Sequence, residues 1–167
     1  MRFKLLIIIL LLSGSLSAQY LRKAVGLRGG LSSGITYQYF YQEDRDLKGL
    51  MSFRNQGLQI TGLIEQYTPL ELRFGDHFYA YYGFGAHIGY IHVPSDQWLG
   101  YNQYPYEYHN YGGRFVIGGD GIVGAEYRVF VVPLTFGIDY KPFFELFGYD
   151  IFRLAMGDFA LTIKYNF

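Results

Sequence analysis

The last nine residues, Phe159 to Phe167, alternate apolar and polar without a fault. Successive side chains of a strand point to opposite faces, so Phe159, Leu161, Ile163, Tyr165 and Phe167 share one side while Ala160, Thr162, Lys164 and Asn166 share the other. The same period of two recurs upstream in seven further segments separated by turn chemistry. A chain made almost wholly of such segments has to hide one face of every strand, and an even number of them can pair antiparallel and close into a barrel without leaving an edge.

The segments run as follows. Ala24 to Leu31 sets Val25, Leu27, Gly29 and Leu31 against Arg28. Ile35 to Tyr41 sets Ile35, Tyr37, Tyr39 and Tyr41 against Thr36, Gln38 and Phe40. The parity is unbroken from residue 24 to residue 41, so one bent strand and two strands both fit it; two are preferred because a single strand would overshoot a bilayer. Gln42 to Asp46 reads as a charged turn. Leu47 to Phe53 carries Lys48, with Arg54 continuing the same parity, and Leu58 to Glu65 ends on Glu65. Thr68 to His77, with Pro69, reads as a connector. Phe78 to Ile91 opposes Phe84, Ala86 and Ile88 to Tyr81 and His87. Phe115 to Tyr127 opposes Ile117 and Val123 to Asp120 and Glu126, and Leu134 to Tyr140 opposes Phe136 and Ile138 to Asp139, with Lys141 following. Val93 to Arg114 and Pro142 to Asp158 read as the two longest loops.

The opposite end of the chain carries a different signal. Met1 to Lys4 holds two positive charges, Leu5 to Leu12 is an unbroken apolar run, and Ser13 to Ala18 is rich in small residues. This pattern predicts a cleaved secretory leader over residues 1–18, leaving residues 19–167 as one barrel domain. Eight apolar residues fall well short of the roughly 20 that a membrane helix needs. With no Cys in the chain, neither disulfides nor an acylated cysteine can hold the exported protein.

Composition narrows the environment. Basic and acidic residues balance at 14 each, so nothing points to nucleic acid. Aromatic residues reach 20%, with 18 Tyr, yet mean hydropathy stays near zero. A lipid-exposed barrel produces that mixture, because half of each strand is apolar, half is polar, and Tyr and Phe gather at the two interfaces. If the N-terminus lies on the periplasmic side, both long loops fall outside the cell, where such barrels place them.

Gly26-Leu27-Arg28-Gly29-Gly30, Ser32-Ser33-Gly34-Ile35-Thr36, Gly62-Leu63-Ile64-Glu65, Tyr81 to Gly89, Ile117 to Gly124 and Asp139-Tyr140-Lys141-Pro142 resemble segments of small outer membrane β-barrel proteins, related in fold to the OmpA and OmpX porin-like families. The resemblance covers most of residues 19–167. It implies an eight-stranded, antiparallel, up-and-down transmembrane barrel in the outer membrane, with Phe159, Leu161, Ile163, Tyr165 and Phe167 as an assembly signal read by the barrel assembly machinery. It is poor for function, because barrels of this size host unrelated roles.

The candidate functional residues follow from parity. One face collects Arg28, Lys48, Arg54, Lys141 and Lys164 with Glu65, Asp120, Glu126, Asp139 and His87, five cations against four anions. A barrel of eight strands has an interior just wide enough for its side chains, so these groups are expected to pair as a polar plug. So many charges also argue against a soluble barrel with a greasy ligand cavity. The histidines lack His-x-His or His-Glu-x-x-His spacing, so no metal site, and no cofactor, is expected. Ser32, Ser33 and Ser52 lack a nucleophile motif, so no catalytic residue is assigned. The Gly83 and Gly118-Gly119 clusters sit inside alternating strands and read as relief of crowding. The loop residues Trp98, Tyr101, Tyr104, Tyr106, Tyr108 and Tyr111 form a candidate binding surface, since Tyr offers contact area with few torsions to freeze. The reading is thus a structural or interaction barrel that meets outer membrane lipid and an unknown extracellular or membrane protein. A narrow channel or secretion accessory is the alternative, and a lipid-modifying enzyme a more distant one.

Overall fold

A computed structural model describes residues 22–54, 57–72, 75–91, 113–129, 131–146 and 152–167. They form ten strands: β1 (Lys23–Gly30), β2 (Ser33–Phe40), β3 (Arg45–Arg54), β4 (Gly57–Leu72), β5 (Gly75–Ile91), β6 (Arg114–Arg128), β7 (Leu134–Tyr140), β8 (Phe143–Leu146), β9 (Phe152–Ala155) and β10 (Phe159–Asn166). Antiparallel ladders run in chain order from β1 to β7, and β10 closes the ring by pairing with β7 on one side and β1 on the other. Residues 24–41 are two strands, bent apart at Leu31-Ser32. The predicted leader lies outside the described residues.

Ten strands make an eight-walled barrel because two walls are each broken once. Along the β6 ladder, Val123 pairs with Tyr140 and Asp120 with Phe143, which is one register carried straight across Lys141-Pro142. Pro142 has no N–H to give the ladder, but its carbonyl accepts the Gly121 N–H at 2.9 Å. β8 is therefore the continuation of β7. Between β9 and β10 the register slips by one residue, from Phe143↔Ala155 to Tyr140↔Phe159. That is the signature of a bulge, here at Met156 to Asp158, and a bulge moves the following side chains to the other face.

Three expectations are corrected here. Pro142 to Asp158 is not an irregular loop but the β8–β9 hairpin, whose tip lies outside the described residues. Thr68 to His77 is not a connector: β4 and β5 run on as a hairpin that pairs Thr68 with Ala80 and Leu70 with Phe78. Pro69 is tolerated there because the Tyr67 N–H faces the β3 side, bonding Asp44 O, and two residues later that side has passed the end of β3. Arg114 belongs to β6, not to the preceding loop.

The two faces differ as sharply as their sequences. Outward lie Leu27, Ile35, Met51, Phe53, Ile60, Phe84, Ile88, Ile117, Ile138 and Ile163, all exposed, with Phe84 at 69% and Leu161 at 66%. Inward lie charged and amide side chains that a soluble protein would keep wet, Glu65 and Lys141 among them, both at 0% exposure. Burial is thus inverted relative to an ordinary globular core. Lys23 at the start of β1 and Phe167 just after β10 meet at one rim, where their backbones exchange hydrogen bonds. This terminal rim also carries the β4–β5 hairpin, and the β8–β9 hairpin stands at the distal rim.

Candidate functional site

Charged side chains enter the lumen at two levels. Toward the distal rim, Arg28 of β1 reaches past β10 to β7: its Nη2 donates to Asp139 Oδ1 at 2.6 Å, and its Nη1 donates to Ser32 Oγ at 2.7 Å, to Ser32 O at 2.8 Å and to Asp158 at 3.2 Å. Ser32 Oγ donates in turn to Asp158. Lys141 Nζ continues the chain, 3.4 Å from Asp158 and 2.8 Å from Asp120. His87 Nδ1 lies 2.6 Å from the other Asp120 oxygen, and Glu145 of β8 faces His87 Nε2 at 3.8 Å while pairing with Arg54. The buried Phe143 ring sits among these cations, 4.5 Å from Arg54 and 4.7 Å from Lys141.

The second level lies toward the terminal rim. Lys48 Nζ reaches Glu65 at 2.8 Å, and Lys164 pairs with Glu126, which also accepts from Arg128 at 2.8 Å. Gln38 Nε2 ties Asp46 (2.5 Å), Glu65 (3.2 Å) and Tyr67 Oη (2.8 Å) together. Rings close this end: Tyr67 stacks on Tyr81 at 5.1 Å, and Arg128 lies over Phe40, Tyr67 and Tyr79. On the distal side of these rings, Leu63 and Ile122 pack against Tyr67 and Tyr81 to complete an apolar cluster. Along β6 the inward order is Asp120, Ile122, Gly124, Glu126, so Ile122 separates the levels. Gly124 leaves room for Tyr81, whose ring would meet an added Cβ at 2.6 Å.

All ten lumen residues named from the sequence are buried inside the barrel, each within hydrogen-bonding or ion-pairing reach of another polar group. The expected charge tally does not hold. Asp46, Glu145 and Asp158 are also buried in the lumen, at positions that the sequence pattern assigns to turn or loop. Among the described residues, seven carboxylates therefore face Arg28, Lys48, Arg54, Lys141, Lys164 and the partly buried Arg128, with His87 as the remaining titratable group. Asp46 was recoverable, since it shares the even parity of Lys48 and Arg54. Residues Trp98, Tyr101, Tyr104, Tyr106, Tyr108 and Tyr111 lie outside the described residues. Phe159, Leu161, Ile163 and Phe167 are exposed on the outer face of the closing strand.

Ser32 is placed as a cap between Arg28 and Asp158. Ser32 Oγ accepts from Arg28 and gives its proton to Asp158, a carboxylate already held by Arg28 and Lys141 and hence a poor base. Smaller bonds complete the distal level, such as Thr162 Oγ1 to Asp139 Oδ2 at 3.2 Å. Replacing Thr162 by Val keeps the shape and removes that bond. Urea unfolding of the refolded barrel is expected to show a loss of about 1.5 kcal/mol, the range for a hydrogen bond to a charged group.

The fold and its lumen define a class: a closed, eight-walled antiparallel β-barrel, apolar outside and ion-paired inside. The crystal structure of the N-terminal β-barrel domain of Pseudomonas aeruginosa OprF is similar to this chain, with a TM-score of 0.56 over 87% of this chain and 95% of that one, at 13% sequence identity. No protein-family model and no curated protein matches the sequence.

Proposed function

We propose that the chain is a non-enzymatic outer membrane barrel, exported through a cleaved leader, that serves as a structural or interaction element with a closed lumen. The inverted burial carries this reading. A band of exposed Leu, Ile, Val, Phe and Met on every wall finds a favourable solvent in hydrocarbon, and in water it would be a patch far larger than soluble proteins show. A closed barrel also leaves no backbone polar group of its walls facing lipid. The aromatic cluster and the two ion-paired levels fill the cross-section, which favours a plug over a conducting path. The partners this implies are outer membrane lipid, the barrel assembly machinery and an extracellular or membrane protein recognised through the outer loops, with Trp98 and Tyr101, Tyr104, Tyr106, Tyr108 and Tyr111 as candidate contacts.

The test has two arms. Purified protein refolded with lipid vesicles is expected to float with them through a density gradient and to run faster on unheated than on heated gels. Protein that stays monodisperse in detergent-free buffer and fails to float would sink the membrane reading. In planar bilayers the wild type is expected to give no stepwise current; regular steps would transfer the assignment to the narrow-channel alternative.

A further inference from the structure

We propose that His87 is a proton-operated clasp that fastens the β8–β9 hairpin to the barrel wall. His87 is buried on β5, with Asp120 of β6 at its Nδ1 (2.6 Å) and Glu145 of β8 at its Nε2 (3.8 Å). A neutral imidazole has one N–H to give. With that N–H on Asp120, a lone pair confronts Glu145; with a second proton, the ring donates to both carboxylates. The present geometry sits between these states, for Nε2 and Glu145 Oε2 both lack a hydrogen-bond partner.

The protonated form is the closed one, because only an imidazolium can donate to Asp120 and Glu145 at once. Around the ring, β3 brings Arg54 through Glu145, β4 brings the neutral Gln59 and Thr61, β6 brings Asp120 and the small Gly118, Lys141 acts through Asp120, and in the β8–β9 ladder Glu145 stands opposite Arg153. Gly118 is required for the fit, because a Cβ there would meet His87 Cε1 at 2.5 Å. Adding the proton joins β5, β6 and β8 through one ring; losing it as pH rises leaves β8 held at this point by Arg54 and by its main-chain ladder to β6.

Amide exchange on the full-length barrel in micelles tests the clasp, read as protection factors so that the intrinsic pH dependence cancels. Between about pH 5 and about pH 8, protection in Phe143–Leu146 and Phe152–Ala155 is expected to fall about tenfold, while amides of Leu27–Gly30 in β1 hold steady. His87→Gln is expected to show the lower protection at both pH values. Glu145→Gln, which leaves an oxygen for Arg54, is expected to abolish the pH response while the His87 ring proton resonance still titrates; it carries the test if the first variant does not fold. A pH-independent wild type, an equal change in β1, or a response that survives in either variant would overturn the proposal.

Discussion

Replacing Arg28 with Met is expected to cost about 3 to 5 kcal/mol, among the largest single losses available in this barrel. Met keeps much of the buried stem volume, so the cost comes from the guanidinium. That group supplies the hydrogen bonds that hold Asp139, Asp158 and Ser32 together across β1, β7 and the β9–β10 bulge. Without it, Asp139 retains Thr162 as a neutral donor, and Asp158 retains Lys141 at 3.4 Å with the Ser32 hydroxyl and N–H. Asp139 is then a buried carboxylate without its cation, which is costly. The check is the urea midpoint of the barrel refolded in vesicles, with a double-mutant cycle: Arg28→Met combined with Asp139→Asn should recover part of the loss, because the second change removes the stranded charge. Additive losses would show that the pair is not coupled and that the lumen is wet enough to solvate each charge alone.

How far this lumen was legible in the sequence depended on whether parity survived. Arg28, Lys48, Glu65, Asp120, Glu126 and Lys164 lie inside uninterrupted strands, so alternation alone placed them on one face. Glu145 belongs to the same odd parity as Asp139 and Lys141, yet Pro142 intervenes, and a proline is ordinarily taken to end a strand. The structure shows why it does not: the register against β6 passes through unchanged. Asp158 failed for the opposite reason. The bulge at Met156 to Asp158 inserts one residue, so the inward set is odd-numbered at Ala155 and even-numbered from Asp158 onward. Period-two reasoning carries no information across such a slip unless the partner register is known. The pairing of particular cations with particular anions was beyond the sequence altogether, since Arg28 meets Asp158 from 130 positions away. It is set by which walls the closure at β1–β10 brings face to face.

Replacing Ile138 with Lys is expected to destabilise the barrel in vesicles by about 2 to 4 kcal/mol, through the opposite face of the same strand that carries Asp139. Ile138 is 56% exposed, flanked across the ladders by Leu161 and Ala125, so no core contact explains such a cost. In water, an exposed Ile replaced by Lys is close to neutral, within about 0.5 kcal/mol. The sign and size of the change therefore report the solvent around the wall, not the packing within it. Hydrocarbon must either take in an ammonium or force it to reach for the interface, and both are costly near the bilayer midplane. The comparison that isolates the effect is Ile138→Lys against Ile138→Ala, measured in vesicles and again in urea-compatible micelles whose headgroups lie nearer the wall. A loss confined to Lys and larger in vesicles supports the membrane-embedded barrel. A Lys variant as stable as wild type in both would mean that the apolar face does not meet lipid, and the inverted burial would then need a protein partner to cover it.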